Sequence, residues 1–129
     1  MSSEKDKLLN IEINLKKLAG EINDAVACLR YDHTTNSHNF IGFHNKLNVA
    51  ISTWNKLKAD VNVFATKAQK DDFIEKLREL GDSVYDWQHR RNFTPQGHTD
   101  PKLRTMITVR ALDEVINIFL NSILEKLAK

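Results

Sequence analysis

The chain has 129 residues, 41% hydrophobic and 28% charged, which is enough for one domain with a sizeable core and too few for two ordinary ones. Its 2 prolines and 4 glycines leave little turn chemistry for an all-β fold, and a net charge of +2, from 19 Lys and Arg against 17 Asp and Glu, is too even to signal a nucleic-acid binder by itself. No apolar run approaches the ~20 residues of a membrane span, the opening MSSEKDKLLN lacks the apolar stretch of a secretory leader, and the single cysteine, Cys28, excludes an internal disulfide.

A cytoplasmic protein is therefore expected, with Cys28 a buried, inert thiol. From Ser3, the positions Leu8, Ile11, Leu15, Leu18, Ile22, Ala25 and Leu29 alternate spacings of three and four, which places them on one stripe of a first helix ending near Arg30. The following YDHTTNSHN has no apolar periodicity and is rich in side chains that compete for backbone hydrogen bonds, so it predicts a loop. A second stripe, Phe40, Phe43, Leu47, Ala50, Trp54, Leu57, Val61 and Phe64, predicts a helix about as long as the first.

Thr66 opens Thr-Lys-Ala-Gln, a capping box in which the threonine hydroxyl takes a free backbone N–H and Gln69 reaches back to the cap. The third helix follows with Phe73, Leu77, Leu80, Val84 and Trp87, continuous in phase across Gly81. After a loop over Phe93 to Thr99, Asp100 and Pro101 form a helix start: the carboxylate accepts orphan N–H groups, and proline at the first position lacks a donor that would have no partner there. The stripe of the fourth helix reads Met106, Val109, Leu112, Ile116, Phe119, Ile123 and Leu127. Four single-striped helices with short connections predict an all-α, antiparallel up-down four-helix bundle forming one domain over residues 1–129.

The chemistry gathers in DWQHRRNFTPQGHTDP, Asp86 to Pro101. There is no Gly-rich phosphate loop, GxSxG, HExxH or CxxC, which sets aside the enzyme classes those motifs serve. From His89 to Arg110 the cations Arg90, Arg91, Lys102, Arg104 and Arg110 face Asp100 alone, a local charge of +4. Arg91 falls where the seam of the third helix calls for an apolar residue, and a charge facing a dry interior is costly, so a polar cleft against a second protomer is expected there.

A permanent cation beside a group titrating near neutrality suits cleavage of a phosphodiester. The His98 imidazole can exchange a proton with a ribose 2′-hydroxyl or a leaving oxygen, and the Arg91 guanidinium can hold the phosphate as charge develops. Arg90, four residues after Asp86, also has the spacing of a surface ion pair. His33 and His38 are expected to be solvated loop residues. Convergence of His44, His89 and His98 on a metal is a further alternative.

Arg91, Asn92 and His98 in RRNFTPQGH resemble the signature of HEPN domains, an arginine, a polar residue, a spacer of four to six positions and a histidine. These are small all-α bundles of toxin–antitoxin pairs, abortive-infection phage defence and CRISPR effectors, and the continuation GHTDP looks most like the abortive-infection branch. The resemblance implies an endoribonuclease independent of metals and cofactors, with a composite site in a homodimer. It implies catalytic Arg91 and His98, supporting Asn92, RNA-binding Arg90, Lys102 and Arg104, and RNA and a cognate antitoxin as partners. The alternative expectation is a non-catalytic helical interaction module, an inactive relative or antitoxin-like partner, in which Arg91 only forms an ion pair.

Overall fold

The computed structural model describes residues 3–30, 38–89 and 100–128, and among them it contains four α-helices, one 3-10 turn and no strand. Helix α1 spans Glu4–Ala27, α2 Phe40–Leu57, α3 Lys67–Gln88 and α4 Pro101–Leu127. Each starts on a side chain suited to cap it, because the first N–H groups of a helix have no partner within it. The Ser3 hydroxyl accepts from the Asp6 N–H at 3.1 Å, the Asn39 amide oxygen from Gly42 at 2.9 Å, and the Asp100 carboxylate from Lys102 at 2.8 Å. At Thr66 both arms of the capping box are made: Gln69 N–H donates to the threonine hydroxyl at 3.1 Å, and Thr66 N–H donates to the Gln69 side-chain oxygen at 2.8 Å. A Cβ on Gly42 would lie 2.4 Å from the capping Asn39 side chain, so only glycine leaves room for that cap.

The helices form an antiparallel four-helix bundle in which α1 packs on α2 and α3 on α4, with smaller contacts between α1 and α4 and between α2 and α3. One apolar cluster runs through all four, centred on Leu15, Leu18, Phe43, Trp54, Phe73 and Phe119. Trp54 stacks nearly parallel to Phe119, with ring centroids 6.1 Å apart, and Phe73 closes on Trp54 at 4.5 Å. All seven stripe residues of the first helix, Leu8 through Leu29, are buried as expected. No described helix is long and apolar enough to cross a membrane.

Two details differ from the sequence reading, in α2 and in α4, and α3 follows it. Helix α2 stops at Leu57 rather than running on to Phe64, and the tight 3-10 turn Asp60–Val63 follows. That turn still buries Val61 completely, so the apolar spacing survives although the helix does not. Helix α3 is unbroken through Gly81, where a Cβ would come within 3.2 Å of Leu47 on α2, so the glycine marks a close helix–helix approach.

The second difference is in the first turns of α4. Met106 is 60% exposed, and the residues facing α3 are Thr105 and Thr108, at 3% and 7% exposure. Threonine can be buried there because its hydroxyl reaches a carbonyl one turn back in its own helix. Thr105 Oγ1 lies 2.9 Å from the Pro101 carbonyl, and Thr108 Oγ1 lies 2.8 Å from that of Arg104. Thr105 Oγ1 is also 2.9 Å from Ser83 Oγ, which is fully buried on α3 and itself donates to the Leu80 carbonyl at 2.9 Å.

Candidate functional site

Helix α3 ends at Gln88, with His89 as its cap, and α4 begins at Pro101, with Asp100 as its cap, so the segment joining them starts and finishes at one end of the bundle. Arg90, Arg91, Asn92 and His98, which carry the catalytic expectation, lie outside the described residues, as does His33. What surrounds the two ends of that segment is described. A groove of about 510 Å³ opens between the end of α1, the end of α3 and the first three turns of α4.

Apolar side chains of Val26, Leu29, Met106 and Val109 line this groove, together with the aromatic ring of Trp87 and the imidazole of His38. Its charged residues are Arg30, Lys102, Arg110 and Asp113, three cations against one carboxylate. None of those three cations is ion-paired among the described residues. The Lys102 ammonium lies over the Trp87 ring, 5.7 Å from its centroid, within the range in which the negative face of an indole attracts a cation. Burial pushes the Asp113 carboxyl above its usual range, because the surrounding apolar wall disfavours its charged form.

Lys102 lines this groove, whereas Arg104 is not among its lining residues. Its guanidinium is held by two carboxylates of α3: Nε and Nη2 donate to Glu79 Oε1 at 3.2 and 2.7 Å, and Nη1 donates to Asp86 Oδ2 at 2.9 Å. These bonds favour the charged form and raise the Arg104 pKa further. The fork joins α4 to two turns of α3 directly beside the buried Ser83–Thr105 pair. Arg104 thereby ties α4 to α3 through these two carboxylates.

His38 also differs from expectation. It is half-buried rather than solvated, and its Nδ1 lies 2.7 Å from the Leu29 carbonyl. A carbonyl can only accept, so Nδ1 carries the proton. The ring makes a T-shaped contact with Trp87 at 5.0 Å and a tilted one with Phe40 at 5.5 Å, and Phe40 meets Trp87 at 5.4 Å. With the Asn39 N–H donating to the Cys28 carbonyl at 3.1 Å, these bonds fasten the start of α2 to the end of α1.

The other described histidines, His44 and His89, make different contacts. His44 packs edge-on against Phe43 at 5.1 Å, and His89 is exposed against Tyr85 at 4.2 Å. Among the described residues no three His, Cys, Asp or Glu side chains are grouped to hold a metal ion. Cys28 is half-buried, its thiol 3.5 Å from the Asp24 carbonyl. A second cleft, of about 590 Å³, lies where the start of α1 meets the 3-10 turn and the end of α4. It mixes Glu4, Lys7, Asp60 and Lys126 without an aromatic ring or histidine, and α4 carries it away from the segment bearing Arg91 and His98.

The sequence matches no protein-family model, and comparison with curated proteins and with solved structures finds no significant match. Arg30, His38 and Trp87 join the groove without having been given a functional role from sequence. Arg30 and His38 flank a loop that carries no pattern, and Trp87 completes an apolar seam, so only the relative placement of the helices brings these residues together.

Proposed function

We propose that the chain is a metal-independent endoribonuclease of the HEPN type, a single cytoplasmic domain acting as a homodimer in a phage-defence or toxin–antitoxin system and neutralised by a cognate antitoxin. The observation that carries this reading is the position of Arg91-Asn92-x5-His98: it lies on the α3–α4 connection of an all-α four-helix bundle. The adjoining groove, with three cations against one carboxylate, is suited in charge to a polyanion.

In this reading a base takes the proton of a ribose 2′-hydroxyl, the 2′-oxygen attacks the adjacent phosphorus, and the bond to the 5′-oxygen breaks as that oxygen is protonated. The products are a 2′,3′-cyclic phosphate and a 5′-hydroxyl. His98 moves the proton, Arg91 holds the phosphate oxygens as charge develops, and Asn92 supports Arg91. Two protomers bring two copies of the motif to one cleft.

The test is cleavage of single-stranded RNA in EDTA by wild type, Arg91→Ala and His98→Ala. Each substitution is expected to lower the rate by about 10²- to 10⁴-fold with helix content unchanged by circular dichroism. Undiminished cleavage by His98→Ala would dismiss the assigned site. Absence of cleavage of any RNA by clean, dimeric wild type would leave the interaction-module reading, which the exposed Leu103, Ile107 and Ile118 along α4 favour as an apolar docking face.

A further inference from the structure

The groove beside the α3–α4 connection combines two kinds of recognition that seldom occur together by packing alone. Of the two tryptophans, Trp54 is 1% exposed and belongs to the core, whereas Trp87 is half-exposed and forms part of the groove wall. Its ring is fixed in orientation by the edges of Phe40 and His38, and His38 is anchored by the Leu29 carbonyl. Around this platform Arg30 is presented just beyond the end of α1, and Lys102 and Arg110 lie two turns apart on α4, all three exposed. The volume, about 510 Å³, lies within the ~300–1,000 Å³ of ordinary small-ligand sites.

We propose that this groove is a nucleotide subsite for single-stranded RNA, in which one base stacks on Trp87 and the flanking phosphates are held by Lys102, Arg110 and Arg30. The inference rests on the reading of the chain as a ribonuclease and deepens it by naming residues that would hold the strand. A flat aromatic face accepts any base and is therefore tolerant of sequence, while cations spaced about it track the backbone. Lys102 already occupies the π-face of the indole at 5.7 Å. An entering base exchanges that cation–π interaction for base–π stacking and frees the ammonium to meet the phosphate of the same nucleotide. An acidic peptide would satisfy the cations but has nothing to offer the ring, and this favours RNA over a protein partner.

The experiment uses full-length His98→Ala protein, so that turnover does not consume the ligand, and a fluorescein-labelled single-stranded RNA decamer, read by anisotropy. Unlabelled RNA is followed in parallel by intrinsic fluorescence, to which the buried Trp54 should contribute little change. Trp87 emission is expected to be quenched on RNA addition. Lys102→Glu and Arg110→Glu, both at exposed positions, are each expected to weaken binding by about tenfold at low salt and to reduce the logarithmic salt slope by about 0.7 for each phosphate no longer neutralised. Trp87→Leu is expected to weaken it by about 5- to 150-fold.

Affinity unchanged by both charge reversals overturns the subsite, and these two variants decide the matter even if Trp87→Leu fails to fold. Equal quenching by polyglutamate at matched charge overturns the base-stacking assignment in favour of an acidic protein partner. The ribonuclease reading is judged separately, on cleavage by the wild type. RNA binding through Trp87 without any cleavage would retain the subsite and remove the enzyme, whereas cleavage with the three groove substitutions silent would do the reverse.

Discussion

The pair of hydroxyls between α3 and α4 gives the sharpest test of how the bundle end is held. Ser83 Oγ and Thr105 Oγ1 are 2.9 Å apart, at 0% and 3% exposure, and each also lies 2.9 Å from a carbonyl of its own helix. Two hydroxyl protons thus serve three short approaches, and one of them must lie between the oxygens for the inter-helix bond to exist. Thr105→Val preserves shape but removes that bond and leaves Ser83 with an unanswered lone pair, at a cost of about 1 kcal/mol. Ser83→Ala is expected to cost a similar amount, since Thr105 keeps the Pro101 carbonyl but loses its partner on α3. The double variant leaves no orphan and should be less destabilised than the sum of the two by about 0.5–1.5 kcal/mol. Urea unfolding followed at 222 nm measures this, with unchanged m-values required for the comparison. In a chain of this length each kcal/mol corresponds to roughly 3–5 °C in Tm. Additivity within about 0.3 kcal/mol would refute the bond, because each hydroxyl would then be serving only the carbonyl of its own helix.

Two further substitutions probe the groove wall. His38→Ala removes the bond to the Leu29 carbonyl and the ring edges against Trp87 and Phe40, and is expected to lower stability by about 1 kcal/mol in the same urea assay; a change below about 0.3 kcal/mol would return His38 to the status of a solvated loop residue. Burial raises the Asp113 pKa in the folded state, so the stability belonging to its protonated form is complete below the unfolded carboxylate pKa and is lost as pH rises through the raised folded value. Asp113→Asn should therefore raise the urea midpoint at pH 7, with a gain that shrinks as pH falls below the ordinary carboxylate range; a gain larger at acid pH than at neutral pH would contradict that sign.

Much of the bundle is legible in the sequence because its signals are local. The α1 stripe, the Thr66 capping box and the Asp100-Pro101 start depend on residues within one or two turns of each other, and the structure reproduces them. The end of α2 is not local in this sense, since Val61 is buried whether the backbone around it is α-helical or a 3-10 turn, and apolar spacing alone does not separate the two. Arg104 reads as one more cation in a basic run, and only the docking of α4 on α3 shows Glu79 and Asp86 within reach of its guanidinium. The catalytic assignment of Arg91 and His98 rests on the motif and its place in the chain, and that segment lies outside the described residues.

The reading of α4 shows how one physical exception propagates to the candidate site. Binary patterning assigns Met106 to the core because threonine counts as polar, but Thr105 and Thr108 each have a carbonyl of their own helix within hydrogen-bond reach and can be buried. Burying them turns the next face of the helix outward. Lys102, Met106, Val109, Arg110 and Asp113 follow one another at spacings that share a helix face, and together they form the α4 wall of the groove. Had Met106 faced the core, this face would have turned inward and the groove would have lost its α4 wall. The internally bonded threonines thus set the rotation of α4 that brings Lys102 over the Trp87 ring, and with it the juxtaposition of cation and aromatic face on which the nucleotide subsite depends.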